Sequence, residues 1–219
     1  MKIVPSILTA DPKEALEMLE RVEGAADRVS IDIIDGIFAN NKTVDPQLFE
    51  NVETNLMIDY QLMVKDPVNW VERCVRGQAD RIIGHVEMMD NQFEFLGKVQ
   101  EVGKSVGLAI DLETPVDKID KTVLFSLDVV LVMSVDAGFG GQKFNQKALV
   151  KIRELNEIRA NDNSPFVIQD DGGITLEYID DTHSVGADEA IVGRRLFDGD
   201  LKENIEKFMK NAYKMGNGR

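Results

Sequence analysis

The sequence predicts an α/β fold, a closed (β/α)8 TIM barrel in which residues 1–219 form a single domain. Eight short apolar segments alternate along the chain with amphipathic segments, which is typical of parallel β-α-β units. Glycine-rich loops follow three of the later apolar segments, where such barrels bind phosphate. A chain of 219 residues fits eight such units, and eight units in this length favour a closed barrel over an open sheet.

The strand predictions rest on apolar and β-branched runs bounded by turn residues. In chain order, the eight segments lie at about 2–8, 28–34, 57–63, 81–87, 106–111, 128–134, 165–169 and 188–193. Between them, apolar residues with helical spacing predict helices, the clearest being Pro12 to Val22, Gln146 to Arg159 and Leu201 to Tyr213. Glycine turns such as Gly24-Ala25 and Gly186-Ala187 precede several strands, as expected where a helix ends and the next strand begins.

Three glycine-rich loops predict an anion site. They follow the sixth, seventh and eighth predicted strands and contain Gly138, Gly140, Gly141, Gln142, Gly172, Gly173, Gly193 and Arg194. Glycine lets the backbone turn sharply and bring its N–H groups close to a ligand, so loops that meet at one end of a barrel can hold a phosphate. The alternative is that these glycines only make tight turns. Three such loops on consecutive strands favour the phosphate site.

Composition argues against several classes of partner. The net charge of −14 is unfavourable for a nucleic-acid surface, which needs a basic field. No apolar run approaches the length that crosses a bilayer, so we expect no membrane partner. The single cysteine, Cys74, cannot form an internal disulfide and fits a reducing compartment. Together with a strand-like start that shows no signal peptide, this predicts a cytoplasmic protein. We also expect a homo-oligomer.

Two aspartates at predicted strand ends are candidate acid/base residues. Asp32 lies in the second strand and Asp171 at the end of the seventh, and in a barrel both would face one cavity. Two carboxylates beside a bound molecule could each move a proton on one face of a carbon acid. The alternative is a helix cap or an ion pair, which we favour for Asp35 and Asp136 because they occupy turn positions. Asp32 differs, because an acid between isoleucines is costly to bury without a partner or a function.

Motifs along nearly the whole chain resemble the ribulose-phosphate 3-epimerase family. They are Pro5-Ser6-Ile7-Leu8, Asp32-Ile33-Ile34-Asp35-Gly36, Leu62-Met63, His85-Val86-Glu87, Thr114-Pro115, Gly138-Phe139-Gly140-Gly141-Gln142-Lys143-Phe144 and Asp171-Gly172-Gly173-Ile174. The combination is specific, and it identifies the chain as a member of that family, with a barrel of the ribulose-phosphate-binding type.

The resemblance implies an isomerase of carbohydrate metabolism that inverts C3 of a ketose phosphate, converting D-ribulose 5-phosphate to D-xylulose 5-phosphate in the pentose phosphate pathway. It implies that Asp32 and Asp171 are the catalytic bases: one removes the C3 proton, and the other returns a proton to the opposite face of an ene-diolate. Besides the glycine loops, the substrate-binding residues that it implies are Ser6, Met63, His85 and Met133.

The metal site implied by the resemblance is altered in this chain. The family binds a divalent metal through the two aspartates and two histidines, and the metal stabilises the ene-diolate. Ser30 and Gln61 stand where those histidines would be. With Asp32 and Asp171, their neutral oxygens would bind Mg²⁺ or Mn²⁺ weakly and in preference to Zn²⁺. If no metal binds, the carboxylates repel each other and their pKa values rise.

Further departures leave alternative functions open. Asp111 replaces an asparagine of the family and would add to the repulsion between carboxylates. Arg194 replaces a small hydroxyl residue and can either bind phosphate or pair with an aspartate. The leading hypothesis is an epimerase with an altered metal site. The alternatives are a related sugar-phosphate isomerase with a changed substrate or metal use, and a catalytically silent sugar-phosphate binding protein, against which the aspartate pair argues.

Overall fold

The structure is a computed structural model that describes residues 1–162 and 166–214. Its eight strands form a closed barrel in sequential order, and each strand runs parallel to both neighbours. The strands are β1 (Lys2–Ile7), β2 (Arg28–Ile34), β3 (Met57–Met63), β4 (Ala79–His85), β5 (Ser105–Ile110), β6 (Val129–Met133), β7 (Val167–Asp171) and β8 (Glu189–Val192). The predicted (β/α)8 barrel is therefore confirmed.

Helices alternate with these strands. The α-helices are α1 (Pro12–Val22), α2 (Val71–Arg76), α3 (Gln92–Glu101), α4 (Lys121–Leu124), α5 (Lys147–Asp162), α6 (Ile179–Ser184), α7 (Arg194–Phe197) and α8 (Leu201–Ala212). Short 3-10 turns lie at Pro46–Phe49, Pro67–Trp70, Val86–Met88 and Val116–Lys118. No helix within residues 1–162 and 166–214 is long and apolar enough to cross a membrane.

Side-chain caps explain where the clearest helices begin. The Asp11 carboxylate accepts a hydrogen bond from the Lys13 backbone N–H at 2.8 Å, and Asp200 caps α8 through the Glu203 N–H at 2.8 Å. Such caps satisfy N–H groups that have no partner inside the helix. The first helix has the predicted bounds, whereas α5 ends three residues after its predicted end and α8 ends one residue before it.

Two strands are shifted by two residues from the sequence prediction, and the boundaries of the others differ from it by at most one residue. The fourth strand ends at His85, and the next residues form a 3-10 turn, Val86–Met88. The seventh strand lies two residues later than the apolar segment predicted at 165–169, because its last two residues are aspartates; position 165 lies outside the described residues. Asp171 is the last residue of this strand, as expected from the sequence.

The barrel interior contains a polar layer below the predicted acid/base pair. Asp59 forms ion pairs with Arg28 and Arg81, and Arg81 also lies 2.9 Å from the Glu189 carboxylate. Gln169 donates to Glu189 at 2.8 Å. Burial raises the pKa of Asp59 to about 6, although both arginines oppose the rise. This layer fills the interior on the N-terminal side, so the candidate site lies at the C-terminal ends of the strands.

Candidate active site

Asp32 and Asp171 converge on the amide of Gln61. The two aspartates lie on β2 and β7, which are separated by β1 and β8 around the barrel, and Gln61 lies on β3. The surrounding hydrogen-bond partners assign the orientation of its amide. In the assigned orientation, its nitrogen lies 3.0 Å from Oδ2 of Asp171 and 3.2 Å from Oδ1 of Asp32. One N–H can therefore point to each carboxylate.

Both carboxyl groups of the pair have raised pKa values. Burial raises the pKa of Asp32 to about 7, while a hydrogen bond from the Ser6 hydroxyl at 3.1 Å opposes the rise. The pKa of Asp171 is raised well above its usual value by burial and then by the charges of Asp32 and Asp170. Like charges that lie close together in a buried site disfavour double ionisation. The pair therefore retains a proton near neutral pH.

His85 lies behind Gln61 and holds its amide. Nε2 of His85 donates to Oε1 of Gln61 at 3.2 Å, and Nδ1 lies 3.3 Å from the Glu87 carboxylate. Burial opposes ionisation of Glu87, but its hydrogen bond with His85 and the His85 charge outweigh burial and lower its pKa to about 2. The Phe38 ring packs edge-on against His85 with the ring centroids 5.0 Å apart. These contacts form a chain that runs from Glu87 to the aspartate pair.

A cavity of about 1120 Å³ opens above the aspartate pair. It is lined by most of the predicted site residues, namely Ser6, Asp32, Met63, Met133, Gly138, Gly140, Gly141, Gln142, Asp171, Gly172, Gly173, Gly193 and Arg194. Three predicted residues are absent from this lining. His85, Ser30 and Gln61 are fully buried beneath it. His85 therefore contacts Gln61, and the structure does not place it against a substrate.

The glycine loops meet at one end of this cavity. Gly173 has a φ of 63°, and a Cβ there would lie 2.4 Å from the Phe144 backbone nitrogen, so no larger residue fits. Gly138 has a φ of 107°, and its carbonyl accepts a hydrogen bond from Asn41 at 2.8 Å, which ties this loop to the segment after β2. The predicted convergence of the loops is observed.

Arg194 reaches over the same loops. Its Nε and Nη2 atoms lie 3.9 Å from the position that a Cβ would take at Gly140. Within the described part of the chain Arg194 forms no ion pair, so the alternative of a salt bridge to an aspartate is not supported there. The guanidinium group lines the cavity and is available to an anion.

Asp111 lies away from the pair, contrary to the expectation from sequence. Its Oδ1 accepts hydrogen bonds from the Leu112 and Ala137 backbone N–H groups at 2.8 and 2.9 Å. The residue thus fixes the start of the glycine loop and is not a third member of the acid cluster.

Asp35, as expected, has a structural role, because its carboxylate accepts from the N–H groups of Ile37 and Lys65 at 2.7 Å each.

Asp170 is a buried acid that the sequence interpretation missed. It points away from Asp171, as neighbouring side chains on a strand do. It accepts hydrogen bonds from the hydroxyls of Ser134 and Thr182, the latter at 3.0 Å. Burial raises its pKa to about 7, against these two hydrogen bonds and the charge of Lys151. The sequence feature that could have indicated this buried acid is the pair of consecutive aspartates, Asp170 and Asp171, at the end of an apolar segment.

The residues of the site do not fit a divalent cation. Between the two carboxylates lies the amide nitrogen of Gln61, which is a donor. The Ser30 hydroxyl is buried without a hydrogen-bond partner among the described residues, so it forms a hydrogen bond with neither carboxylate. In that part of the chain, no three His, Cys, Asp or Glu side chains are grouped so that they could hold a metal. Two carboxylates alone are a poor ligand set for Zn²⁺, which takes at least three protein ligands, and the Gln61 donor occupies the position that Mg²⁺ or Mn²⁺ would take between them.

A closed barrel with paired carboxylates at the C-terminal ends of its strands is typical of a (β/α)8-barrel enzyme, and comparisons identify the family. The ribulose-phosphate 3 epimerase family matches residues 2–197. The chain is 32% identical over 212 residues to ribulose-phosphate 3-epimerase of Bacillus subtilis, covering 94% of this chain and 97% of the relative. It is 33% identical over 213 residues to the enzyme of Chlamydia muridarum, covering 93% and 92%.

Solved structures agree with the fold. The crystal structure of 3-keto-L-gulonate-6-phosphate decarboxylase from Vibrio cholerae matches with a TM-score of 0.71 and 13% identity, covering 96% of each chain. At that identity the likeness supports the barrel only. The matches to the family and its relatives show that the chain belongs to the ribulose-phosphate 3-epimerase family. It is thus an enzyme of carbohydrate metabolism, and membership implies a sugar-phosphate substrate.

Proposed function

We propose that the chain inverts C3 of a ketose phosphate, converting D-ribulose 5-phosphate to D-xylulose 5-phosphate through an ene-diolate. The observation that carries the proposal is the aspartate pair, which lines the cavity from two strands and has raised pKa values on both members. A carboxylate with a raised pKa is a stronger base, and its protonated partner is an acid ready to donate. Together they supply the two proton transfers that an inversion requires.

The two proton transfers of this mechanism leave the total charge of the aspartate pair and the substrate unchanged. Before reaction, one of Asp32 and Asp171 is a carboxylate and the other a carboxylic acid. The carboxylate takes the C3 proton, and the electron pair of that C–H bond moves into the ene-diolate. The acid then gives its proton to the opposite face of C3, and the ene-diolate returns to a ketone. One negative charge is present at every stage, so the site never holds two.

Phosphate binding at the glycine loops fixes the substrate above the pair. Backbone N–H groups at Gly140-Gly141 and Gly172-Gly173 would hydrogen-bond to phosphate oxygens, and Arg194 would add a charge-assisted contact. Because the glycine loops and both aspartates line the same cavity, a phosphate bound at the loops would leave the sugar carbons near Asp32 and Asp171. Met63 and Met133 would pack against the sugar and limit the access of water.

The proposal is tested by turnover. Purified protein is incubated with D-ribulose 5-phosphate, and the formation of D-xylulose 5-phosphate is followed by NMR. The matched control is the variant with both Asp32→Asn and Asp171→Asn, because asparagine keeps the shape of the side chains and cannot act as a carboxylate base. We expect turnover by the natural sequence and none by the control. Binding of substrate without turnover by the natural sequence would favour the sugar-phosphate binding protein.

Two further expectations stay predictions. The single domain over residues 1–219 is tested by whether urea unfolding is one cooperative transition, and the homo-oligomer is tested by light scattering. A mass at a multiple of 24.5 kDa would support the oligomer, and a mass of one chain would exclude it.

A further inference from the structure

Gln61 occupies an unusual position for a neutral side chain. It is fully buried, it lies beneath the cavity and outside its lining, and its nitrogen is within 3.2 Å of one oxygen from each carboxylate. A primary amide has two N–H donors, which equals the number of carboxylates that it faces. Gln61 therefore bridges the pair from below while the upper face of both carboxylates stays open to the cavity.

We propose that the Gln61 amide replaces a divalent cation between Asp32 and Asp171, so that the pair transfers protons without a metal ion. Gln61 is then a positioning residue: it holds the two carboxylates at a fixed separation and does not touch the substrate. The catalytic part of this inference rests on the proposed function, whereas the bridging geometry does not.

The side chains around Gln61 select this orientation of its amide. With the nitrogen turned away, the amide oxygen would face two carboxyl groups, and that arrangement needs a cation or two protons between them. With the nitrogen towards the pair, both N–H groups are satisfied and the oxygen accepts from Nε2 of His85 at 3.2 Å. In this arrangement both ring nitrogens of His85 donate, Nε2 to Gln61 and Nδ1 to the Glu87 carboxylate at 3.3 Å, and Glu87 balances the charge of a ring that carries both protons.

A neutral bridge also fits the charges of the site. A divalent cation would stabilise two ionised carboxylates, whereas an amide contributes hydrogen bonds and no net charge. One proton shared by the pair then reduces the repulsion that the missing cation would have offset.

The amide can be observed directly in the natural protein. In a ¹⁵N-labelled sample, the side-chain NH₂ resonances of Gln61 are identified by their loss in Gln61→Glu. We expect slow exchange with solvent, a change in position in Asp171→Asn, and no broadening at millimolar Mn²⁺, because no paramagnetic ion binds beside the amide. Strong broadening by micromolar Mn²⁺ would overturn the proposal, since it would place a cation at the pair.

Metal affinity of two variants gives a second readout. Gln61→Glu replaces the donor with a third carboxylate and should bind Mn²⁺ at least about tenfold more tightly than the natural protein, because affinity rises with the number of charged oxygen ligands. The matched control is Gln47→Glu, which makes the same chemical change at an exposed position outside the site. Equal Mn²⁺ affinity of Gln61→Glu and Gln47→Glu would contradict the bridging role.

Catalysis is measured separately, so that the two hypotheses can fail independently. Exchange of the C3 proton in D₂O should be unchanged by chelator in the natural protein and reduced about 100-fold or more in Gln61→Glu, since misplacing a catalytic group by about 1 Å has effects of that size. Loss of exchange on chelation overturns metal independence. If the natural protein shows no exchange at all, the proposed function fails, and the resonance and affinity measurements still decide whether the amide bridges the pair.

Discussion

The buried carboxyl of Asp170 predicts a specific dependence of stability on pH. Its folded pKa is about 7, against 3.8 for the free group, and the side chain is fully buried, so solvent does not screen it. A raised carboxyl pKa stabilises the folded state below the unfolded pKa, and this contribution is lost as the pH rises to the folded pKa. At about 1.4 kcal/mol per pKa unit, the difference corresponds to at most about 4 kcal/mol.

The Asp170→Asn variant isolates this contribution. Asparagine keeps the shape and one acceptor but does not titrate, so its stability should fall less between pH 4 and pH 8. The assay is urea unfolding of both proteins at several pH values, comparing the difference in the free energy of unfolding. Asp32 and Glu87 titrate in both proteins, so their contributions cancel in that difference. Parallel curves within about 0.5 kcal/mol would refute the burial argument for Asp170.

Three further predictions concern the two bases, the anion site and a loop glycine. Asp171→Asn should stop epimerisation but keep C3 exchange for the epimer whose proton Asp32 removes, and Asp32→Asn should keep exchange for the other epimer. Exchange is measured by NMR on each epimer separately, and equal loss for both epimers in each variant would contradict the two-base mechanism. Inorganic phosphate should raise the melting temperature, because it binds the folded state. Arg194→Ala should weaken the affinity for phosphate about tenfold or more, since charged hydrogen bonds contribute about 1.5–3 kcal/mol; an unchanged affinity would show that Arg194 does not contact the anion. Gly173→Ala should destabilise the fold by about 2 kcal/mol or more in urea unfolding, because a Cβ there would lie 2.4 Å from the Phe144 backbone nitrogen. The control, Gly199→Ala, has a similar positive φ and open space around the Cβ position, so it should have a smaller effect.

The sequence was sufficient for the barrel and for most of the cavity lining. Hydrophobic periodicity is a local property, and eight repeats of it leave few topologies. The sequence also predicted that Asp32 and Gly173 line the same cavity, because the C-terminal ends of the strands in a barrel meet at one cavity. The apolar segment predicted at 165–169 stops short of the end of β7, since Asp170 and Asp171 are charged, but Asp171 was correctly expected at the end of that strand.

The remaining features depend on tertiary contacts between distant residues. The expectation that Asp111 joins the acid cluster was wrong, because its carboxylate bonds to the Ala137 N–H in the next loop. The placement of His85 behind Gln61 could not be predicted from the sequence, since it depends on how the neighbouring strands β3 and β4 align and on which of their side chains lies nearer the cavity. Likewise, a glutamine in place of a histidine does not reveal whether its oxygen or its nitrogen faces the carboxylates.

The origin of the proton at C3 tests the two-base mechanism most directly. D-ribulose 5-phosphate with protium at C3 is converted in D₂O, and the xylulose product is examined by NMR at low conversion. Two aspartates predict that the product carries one deuterium at C3 from the earliest time, because its hydrogen comes from an acid already equilibrated with solvent. Product that keeps the original protium would mean that one base removes and returns the same proton, and it would contradict the assignment of Asp32 and Asp171.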